Sequence, residues 1–267
     1  MMSQKILDKD SLGVWLCVKD STIFFVDDQL PRGRASAFGL QHKKAIYLGL
    51  WDSLPLYLVD AQQDVAAYVS LRSQLGINET QFNLLNRGVA LHHFLQTNQF
   101  CGKCGGAMQM ASDEWAMQCQ NEDCHHRIYP VICPSIIVAV RRGKQILLAN
   151  HLRHQASKIY TVLAGFVEVG ETFEQAVVRE VWEESQIKIK NLRYFGSQPW
   201  AFPNAQMVGF LADYADGEIQ VQQSEIHDEQ WFDYDQHLPE LPPQGTIAHK
   251  LIQATLALCE QEEKESK

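Results

Sequence analysis

Four of the seven cysteines lie within one short stretch of the chain, and this cluster constrains the fold more than any other feature. Two residues separate Cys101 from Cys104 and, fourteen residues further on, four residues separate Cys119 from Cys124. Two such pairs suit a tetrahedral zinc ion bound by four thiolates, two from each hairpin turn. The spacing predicts one structural zinc per subunit, because four protein ligands leave no coordination position for a substrate.

The residues beside the cysteines refine this prediction. Gly102 and Gly105 give the backbone the freedom that a metal-binding turn needs. The second cysteine pair is wider than usual, so His125 or His126 remains an alternative to Cys124 as the fourth ligand. The first residues contain no apolar stretch typical of a secretory signal, so we expect a cytoplasmic protein whose clustered thiols bind metal instead of forming disulfides.

The overall charge limits the kinds of partner. The chain has 23 basic and 32 acidic residues, which gives a net charge of −9. A protein of this charge is not expected to follow the backbone of DNA along its length, although a metal or a local field still allows small anionic ligands. The longest apolar run, 136–140, is too short to span a bilayer, so no membrane partner is predicted.

The pattern of apolar residues divides the chain into a β-rich N-terminal domain with helices (1–95), a cysteine-rich segment (96–130) and a C-terminal domain (131–267). Residues 1–95 carry no catalytic motif and indicate a scaffold or dimerisation role. The predicted elements of the first and last domains include six strands and two helices. They are the strands Val14–Val18, Ile23–Val26, Ala45–Trp51, Leu56–Val59, Ser135–Val140 and Gln145–Ala149, and the helices Val65–Leu75 and Phe82–Thr97.

A run of glutamates in the C-terminal domain carries the strongest chemical signal. Residues 172–185 predict a helix that opens with a capping box at Thr172. Glu180, Glu183 and Glu184 are spaced i, i+3 and i+4, so their carboxylates share one face of this helix. Because like charges so placed repel one another, this face favours binding of Mg²⁺ or Mn²⁺, which prefer carboxylate oxygens.

Charged residues are unevenly distributed around this helix. No Asp or Glu occurs from residue 127 to 167, whereas residues 168–187 contain six Glu and one Arg. A basic region beside an acidic metal site is what a polyphosphate substrate needs, since cations hold its phosphate oxygens. The basic residues of the acid-free stretch are Arg127, Arg141, Arg142, Lys144, Arg153 and Lys158.

The glutamate run resembles the Nudix box of the Nudix hydrolases. The matching residues are Gly165, Glu171, Arg179-Glu180-Val181, Glu183-Glu184 and Ile187. At one position the chain departs from the box, because Gln186 stands where the family has glycine. Gln186 is compatible either with a helix that runs slightly further or with a strained turn, since glutamine tolerates positive φ poorly. The resemblance implies an α/β/α sandwich with a mixed sheet for the C-terminal domain, within an α+β protein.

A second segment narrows the resemblance. Residues 197–205 read SQPWAFPNA and are similar to SQPWPFPxS, the signature of the NADH pyrophosphatase (NudC) subfamily. Ala201 replaces a proline of the signature, and Ala205 replaces its closing serine. Stiff prolines alternate with aromatic rings here, which suits a loop that stacks or packs a nucleobase. The subfamily has a β-rich domain, a zinc ribbon and a Nudix domain in this order, so the resemblance covers nearly the whole chain.

The resemblance also implies a set of site residues. The catalytic metal would be held by the carbonyl of Ala164 and the carboxylates of Glu180, Glu184 and Glu225, with Glu183 in or near the metal shell. Glu183 or Glu184 would accept the proton of the attacking water, with Glu180 as the third catalytic residue. The residues that match substrate contacts are Arg72, Glu114, Tyr129, Phe166, Gln198, Pro199, Trp200, Ala201, Phe202, Pro203, Asn204, Ala205 and Ala248.

The implied activity is hydrolysis of the diphosphate of NADH or NAD to NMN(H) and AMP, together with removal of the NAD cap from RNA to leave a 5′-monophosphate. The family also implies a homodimer, and Arg179 is expected to orient the glutamates. Two alternatives stay open. One is a broader Nudix hydrolase that prefers ADP-ribose or dinucleoside polyphosphates, as the departures at Gln186, Ala201 and Ala205 allow. The other is an inactive nucleotide sensor, against which the intact glutamates argue.

Overall fold

The structure, a computed structural model, describes residues 4–60, 68–152, 158–202 and 204–265. Within these ranges the chain forms sixteen strands and three α-helices. None of the helices in the described ranges is long and apolar enough to cross a membrane.

The chain folds into two compact units. Unit 1 comprises Met1–Ile132 and Trp200–Asn204, and unit 2 comprises Cys133–Pro199 and Ala205–Lys267. The segment Trp200–Asn204 therefore belongs to unit 1, although the residues on either side of it belong to unit 2.

Unit 1 is built on a seven-stranded sheet against which one long helix packs. Its elements are β1 (Gln4–Ile6), β2 (Leu12–Lys19), β3 (Thr22–Phe24), β4 (Arg32–Arg34), β5 (Lys44–Trp51), β6 (Leu54–Val59), β7 (Tyr68–Ser70) and α1 (Glu79–Thr97). The strand order is β1-β5-β6-β2-β3-β7, with β4 paired to β2. Leu16 of β2 shares a buried core with Leu85 and Val89 of α1. The helix approaches β2 so closely that a Cβ on Gly88 would lie 2.1 Å from Leu16 Cδ2.

One helix predicted in this unit is wrong. The first three residues of Val65–Leu75 lie outside the described ranges. Tyr68–Ser70 then form an edge strand, and Leu71–Gln74 form a short 3₁₀ turn. The helix is lost because Val69 pairs with Ile23 of β3, so hydrogen bonding to a neighbouring strand outweighs the local helical pattern.

Unit 1 also contains a small three-stranded sheet. Its strands are β8 (Met108–Met110), β9 (Met117–Cys119) and β10 (Arg127–Ile128), in the order β10-β9-β8. Three of the clustered cysteines lie in the loops and turns that flank these short strands, and Cys119 is the last residue of β9.

Unit 2 is a mixed sheet with a helix on each face. Its elements are β11 (Cys133–Arg142), β12 (Gln145–His151), β13 (Leu163–Phe166), α2 (Phe173–Ser185), β14 (Lys188–Trp200), β15 (Ala205–Asp216), β16 (Ile226–Asp233) and α3 (Ile247–Glu265). The strand order is β14-β15-β11-β12-β16, with β13 paired to β11. Strand β11 runs parallel to β15 and antiparallel to β12 and β13.

Alternate residues of β11 are buried against different helices, as expected for a strand with both faces covered. Val138 shares a core with Val177 and other residues of α2. Its neighbour Ile137 shares a second core with Leu251 and other residues of α3. The predicted α/β/α sandwich is therefore confirmed.

Candidate active site and metal centres

The four predicted zinc ligands come together beside the small sheet of unit 1. Their Sγ atoms all lie within 4.8 Å of one another. The Sγ atoms of Cys104 and Cys119 are 3.5 Å apart, and those of Cys101 and Cys124 are 3.9 Å apart. A tetrahedral zinc with bonds of about 2.3 Å sets its sulfurs about 3.8 Å apart, so the cluster fits this metal.

The turns around the cysteines explain why this sequence brings them together. Gly105 adopts the left-handed region, with φ of 74°, and its N–H donates to the Cys101 carbonyl at 2.8 Å. Gly102 does not take a positive φ. In the second turn His125 has φ of 47°, and its N–H donates to the Asn121 carbonyl. His125 thus shapes the turn, whereas Cys124 provides the fourth sulfur.

Helix α2 presents its glutamates at very different depths. The helix opens with the predicted capping box, in which the Thr172 hydroxyl accepts the N–H of Gln175. Glu184 is 1% exposed, the Glu180 side chain 13% and the Glu183 side chain 48%. The carboxylate face predicted from the spacing therefore runs from the solvent into the protein.

Electrostatics at Glu180 favour a cation. Burial raises the pKa of the Glu180 carboxyl, Arg179 opposes this shift, and the nearby charges of Glu183 and Glu225 raise the pKa further. A divalent cation would relieve both the burial penalty and the repulsion among these carboxylates. The donor set therefore has the chemistry of a divalent-cation site.

As the sequence predicts, Arg179 contacts the glutamates. Its Nε and Nη2 donate to the two carboxylate oxygens of Glu171, at 2.6 and 2.9 Å. Its Nη1 donates to Glu180 Oε1 at 2.9 Å and to Glu183 Oε2 at 2.8 Å. The guanidinium holds the pKa of Glu171 down at about 2, so this carboxylate stays charged and ties the loop before α2 to the helix.

Gln186 resolves the alternative left open by the sequence. Helix α2 ends at Ser185, and Gln186 takes the left-handed conformation with φ of 58°. Its backbone N–H and its side-chain Nε2 both donate to the Trp182 carbonyl at 2.9 Å. The helix does not run further, and glutamine occupies a turn position that favours glycine.

The aromatic residues of the segment Trp200–Asn204 are packed within unit 1. The Arg72 guanidinium lies over the Phe202 ring at 4.1 Å and over the Trp200 ring at 5.6 Å. The two rings contact each other edge to face, with centroids 4.9 Å apart. Both rings pack on the core of unit 1. Ala201, the residue between them in the sequence, is buried in that core. Pro203 lies outside the described residues.

Glu114 and Tyr129 also meet in unit 1. The Tyr129 hydroxyl donates to Glu114 Oε1 at 2.9 Å, and this hydrogen bond raises the pKa of Tyr129. Arg127 donates to the same oxygen at 2.6 Å. The Tyr129 ring remains exposed.

Gln198 and Ala248 are associated in unit 2. The buried Gln198 side chain accepts the N–H of Ile247 at 2.8 Å. The Thr246 hydroxyl accepts the N–H of His249 at 3.1 Å. These two bonds cap the amides on either side of Ala248 at the start of α3.

The other predicted substrate residues differ in exposure. Phe166 is exposed at the end of β13, whereas Ala205 is buried at the start of β15. Pro199 is half-buried. The Asn204 side chain donates to the Val131 carbonyl at 2.8 Å within unit 1.

Comparison with known proteins identifies the family. The NUDIX domain family matches residues 132–254, and the NADH pyrophosphatase zinc ribbon domain matches residues 96–129. The chain is 60% identical to the NAD-capped RNA hydrolase NudC of Pasteurella multocida (strain Pm70), over 97% of the chain and 98% of that protein. The chain belongs to the Nudix hydrolase family, in its NADH pyrophosphatase (NudC) subfamily.

Two further comparisons agree with this assignment. The NAD-capped RNA hydrolase NudC of Haemophilus influenzae (strain PittEE) is also 60% identical, over 97% of the chain and 99% of that protein. A crystal structure of a Nudix hydrolase from Nitrosomonas europaea superimposes with a TM-score of 0.50 at 19% identity, covering 61% of the chain and 93% of that structure. The structural likeness supports the fold alone.

The basic stretch of this Nudix hydrolase is not the open anion site that the sequence suggests. Arg141 pairs with Asp213 at 3.1 Å and with Glu262 at 2.7 Å. Arg142 lies over the Trp231 ring at 4.3 Å. Arg127 pairs with Glu114, and the Lys144 ammonium lies 3.6 Å from the Asp233 carboxylate. Lys158 is exposed, and Arg153 lies outside the described residues. Much of this charge is compensated by acids from distant parts of the chain.

The carboxylates of Glu180, Glu183 and Glu225 are less tightly gathered than the cysteines. Within the described part of the chain, only the four cysteines have metal-ligating atoms close enough together to form a compact cluster. Glu180 and Glu183 are instead drawn to Arg179, and Glu225 is exposed in the turn before β16. Binding of a catalytic cation would therefore compete with these ion pairs.

Strand β16 contains a buried carboxyl group that the sequence does not predict. Glu229 is 5% exposed, and neither of its carboxylate oxygens has a hydrogen-bond partner among the described residues. It pairs with Ala149, which faces α2, so Glu229 lies on that face of the sheet. Burial raises the pKa of Glu229 to about 8. A single glutamate in a polar run such as HDEQ gives no signal by which its burial could have been found.

Proposed function

We propose that this Nudix hydrolase cleaves the diphosphate of NADH and NAD to NMN(H) and AMP, and that it removes the NAD cap from RNA to leave a 5′-monophosphate. The observation that carries the proposal is the carboxylate face of α2, where the burial of Glu180 and its repulsion by Glu183 and Glu225 favour a cation. Relatives that are 60% identical along nearly the whole chain are named NAD-capped RNA hydrolases, which supports this substrate class.

In this proposal Mg²⁺ or Mn²⁺ is held by Glu180, Glu184 and Glu225, with the carbonyl of Ala164 and the carboxylate of Glu183 in or near its shell. A divalent cation bound there lowers the pKa of a water molecule and offsets the charge that develops on the diphosphate. Burial of Glu184 fixes its carboxylate, while the more exposed Glu183 is held from one side by its ion pair. In this proposal either carboxylate would accept the proton of the attacking water.

The proposed dinucleotide contacts are the residues that match the subfamily's substrate positions. The exposed rings of Tyr129 and Phe166 are available to stack on a base. The Glu114 carboxylate is an acceptor suited to ribose hydroxyls. The remaining contacts are Arg72, the segment Gln198–Ala205 and the backbone of Ala248.

Product analysis tests the reaction. The protein, with Mg²⁺ and then with Mn²⁺, should convert NADH and NAD to NMN(H) and AMP and should convert NAD-capped RNA to 5′-monophosphate RNA. Glu184→Gln should lower turnover by at least ~100-fold, the scale for loss of a key acid–base or electrostatic group. Glu174→Gln is the matched control, because Glu174 is exposed in the first turn of the same helix. Retention of more than half the wild-type rate by Glu184→Gln would contradict its assignment.

The same assay decides between substrates. Ala201 and Ala205 depart from the subfamily signature, and this favours testing ADP-ribose and a dinucleoside polyphosphate beside NADH. A clear preference for either of these over NADH and NAD would replace the proposed function with that of a broader Nudix hydrolase. Binding of NAD without any product would indicate a nucleotide sensor.

We also propose a structural zinc in each subunit, a homodimer and a cytoplasmic location. The four-sulfur geometry supports the zinc assignment. A cluster of thiols arranged to bind metal suits a reducing compartment, where clustered cysteines more often bind metal than form disulfides. Sedimentation at several protein concentrations measures the oligomeric state directly.

A further inference from the structure

Asn86 is a polar residue on the buried side of α1. It is 4% exposed and lies next to Leu85, in the core of unit 1. A buried amide side chain is destabilising unless its polar atoms are hydrogen-bonded. Its Oδ1 accepts the backbone N–H of Ala201 at 2.7 Å, across a separation of 115 residues.

The local geometry of the substrate segment makes this bond important. Phe202 donates its N–H to the Trp200 carbonyl at 2.8 Å, which closes a tight turn around Ala201. The Ala201 amide lies at the centre of this turn and is buried. Without Asn86 its N–H would be left in the protein interior without this acceptor, a costly arrangement.

Asn86 and Arg72 hold different parts of the segment. The Arg72 guanidinium lies over the faces of the Trp200 and Phe202 rings. Such a contact is maintained when the rings shift sideways beneath the guanidinium. The bond from Ala201 to Asn86 is directional and acts on the backbone itself. It therefore sets the position of the turn, which the ring contacts alone do not.

The bond depends on a position at which this chain departs from the subfamily signature. Where the subfamily signature has proline, this chain has Ala201. Proline has no backbone N–H, so a chain with proline at this position has no donor for Asn86. We infer that Asn86 is a positioning residue for the substrate segment, which compensates for the loss of a stiff proline by fixing the Ala201 amide.

This inference rests on the proposed function, because residues 198–205 are assigned there to dinucleotide binding. Asn86 does not contact the reacting atoms in this scheme, so its loss should weaken substrate binding more than the chemical step. It also gives helix α1 a part in substrate binding, beyond the scaffold or dimerisation role indicated by the sequence.

The first experiment compares Asn86→Ala with Asn83→Ala. Asn83 lies on the same helix, and its Oδ1 has no hydrogen-bond partner among the described residues, so it controls for amide removal from α1. In Asn86→Ala, loss of one hydrogen bond should make amide hydrogen exchange up to ~10-fold faster in the peptide that contains Ala201. The KM for NADH should rise by up to ~10-fold, while kcat stays within about threefold of wild type. Asn83→Ala should leave both quantities unchanged. An unchanged exchange rate, or faster exchange with an unchanged KM, would overturn the inference.

A double-mutant cycle gives a second test that does not depend on activity. In the wild-type background, Ala201→Pro removes the donor and leaves Asn86 Oδ1 without it. In the Asn86→Ala background, the same change removes no hydrogen bond, so its effect on the melting temperature should be smaller. Additive effects would overturn the inference. If the wild-type protein hydrolyses no dinucleotide, the proposed function is refuted. The double-mutant cycle and the amide exchange rate then still decide whether Asn86 fixes the position of the segment.

Discussion

Gly165 lies directly against the carboxylate of Glu180. A Cβ on Gly165 would be 1.9 Å from both Cδ and Oε1 of Glu180. Gly165 does not take a positive φ, so it is not required for an unusual backbone conformation. The glycine is needed because its missing side chain leaves the space that the partly buried carboxylate occupies.

Gly165→Ala should therefore displace Glu180 and lower kcat by at least ~100-fold, the scale for loss of electrostatic stabilisation at the reacting centre. The matched control is Gly196→Ala in β14 of the same unit, where a Cβ meets nothing within 4 Å. Circular dichroism should show both variants folded. If Gly165→Ala keeps wild-type turnover, the position of Glu180 is not critical for the reaction.

Gln186→Gly should stabilise the protein. The residue lies beyond the end of α2 with φ of 58°, so helix propensity does not oppose glycine there. Relief of the left-handed conformation, about 1–2 kcal/mol, is partly offset by the greater entropy of glycine in the unfolded chain, which leaves on the order of 1 kcal/mol or less. Gln186→Ala keeps the Cβ and removes the side-chain hydrogen bond to Trp182, so it should be no more stable than wild type. Urea unfolding of the three proteins measures these differences.

Cys104→Ser should remove zinc and lower thermal stability, because the binding energy of a structural metal contributes to folding. Elemental analysis should find about one zinc per wild-type chain and a much smaller amount in the variant. Cys133→Ser is the control, since Cys133 is outside the four-cysteine group. Well-folded wild-type protein without zinc would disprove the four-thiolate site.

Glu229→Gln should change how stability depends on pH. Burial raises the pKa of Glu229 from its usual value near 4.5 to about 8 in the folded protein. Between these values the unfolded chain is ionised while the folded protein holds the proton. The contribution of Glu229 to the free energy of unfolding therefore falls as pH rises through this window, by up to about 1.4 kcal/mol per pH unit.

The glutamine variant lacks this titration, so its stability relative to wild type should rise from about pH 5 to about pH 8 and then level off. Exposed Glu218→Gln serves as the control and should follow the wild-type pH dependence. Urea unfolding across this range measures the difference. Parallel curves for wild type and Glu229→Gln would show that Glu229 ionises normally in the folded protein.

Features set by neighbouring residues could be predicted from the sequence. The capping box, the shared carboxylate face of α2 and the contacts of Arg179 all depend on residues within one or two helical turns or in the adjoining loop. The cysteine cluster was predictable for a related reason, because metal ligation restricts the spacing of ligands along the chain. In these cases the spacing of residues along the chain is enough to determine which side chains come together.

Features that depend on distant partners could not be predicted. The charge pattern predicts phosphate contacts from the basic stretch that includes Arg141, but Arg141 binds Asp213, which is 72 residues away in sequence. The helix expected at 65–75 was wrong where described, because pairing with β3 decides the structure of residues 68–70. The bond between Asn86 and Ala201 gives no local signal on either side. Each case needs knowledge of which segments meet in three dimensions.

The assignment of Trp200–Asn204 to unit 1 has a consequence for dissecting this enzyme. A fragment cut at the start of the Nudix domain would keep Trp200 and Phe202 but lose Arg72, Asn86 and the apolar residues on which the rings pack. Two aromatic side chains would be exposed to water, which promotes self-association. Truncation at a boundary chosen from the linear order of domains would therefore yield an aggregation-prone protein, and transplanting this domain into another protein would require replacing the residues that bury its two rings.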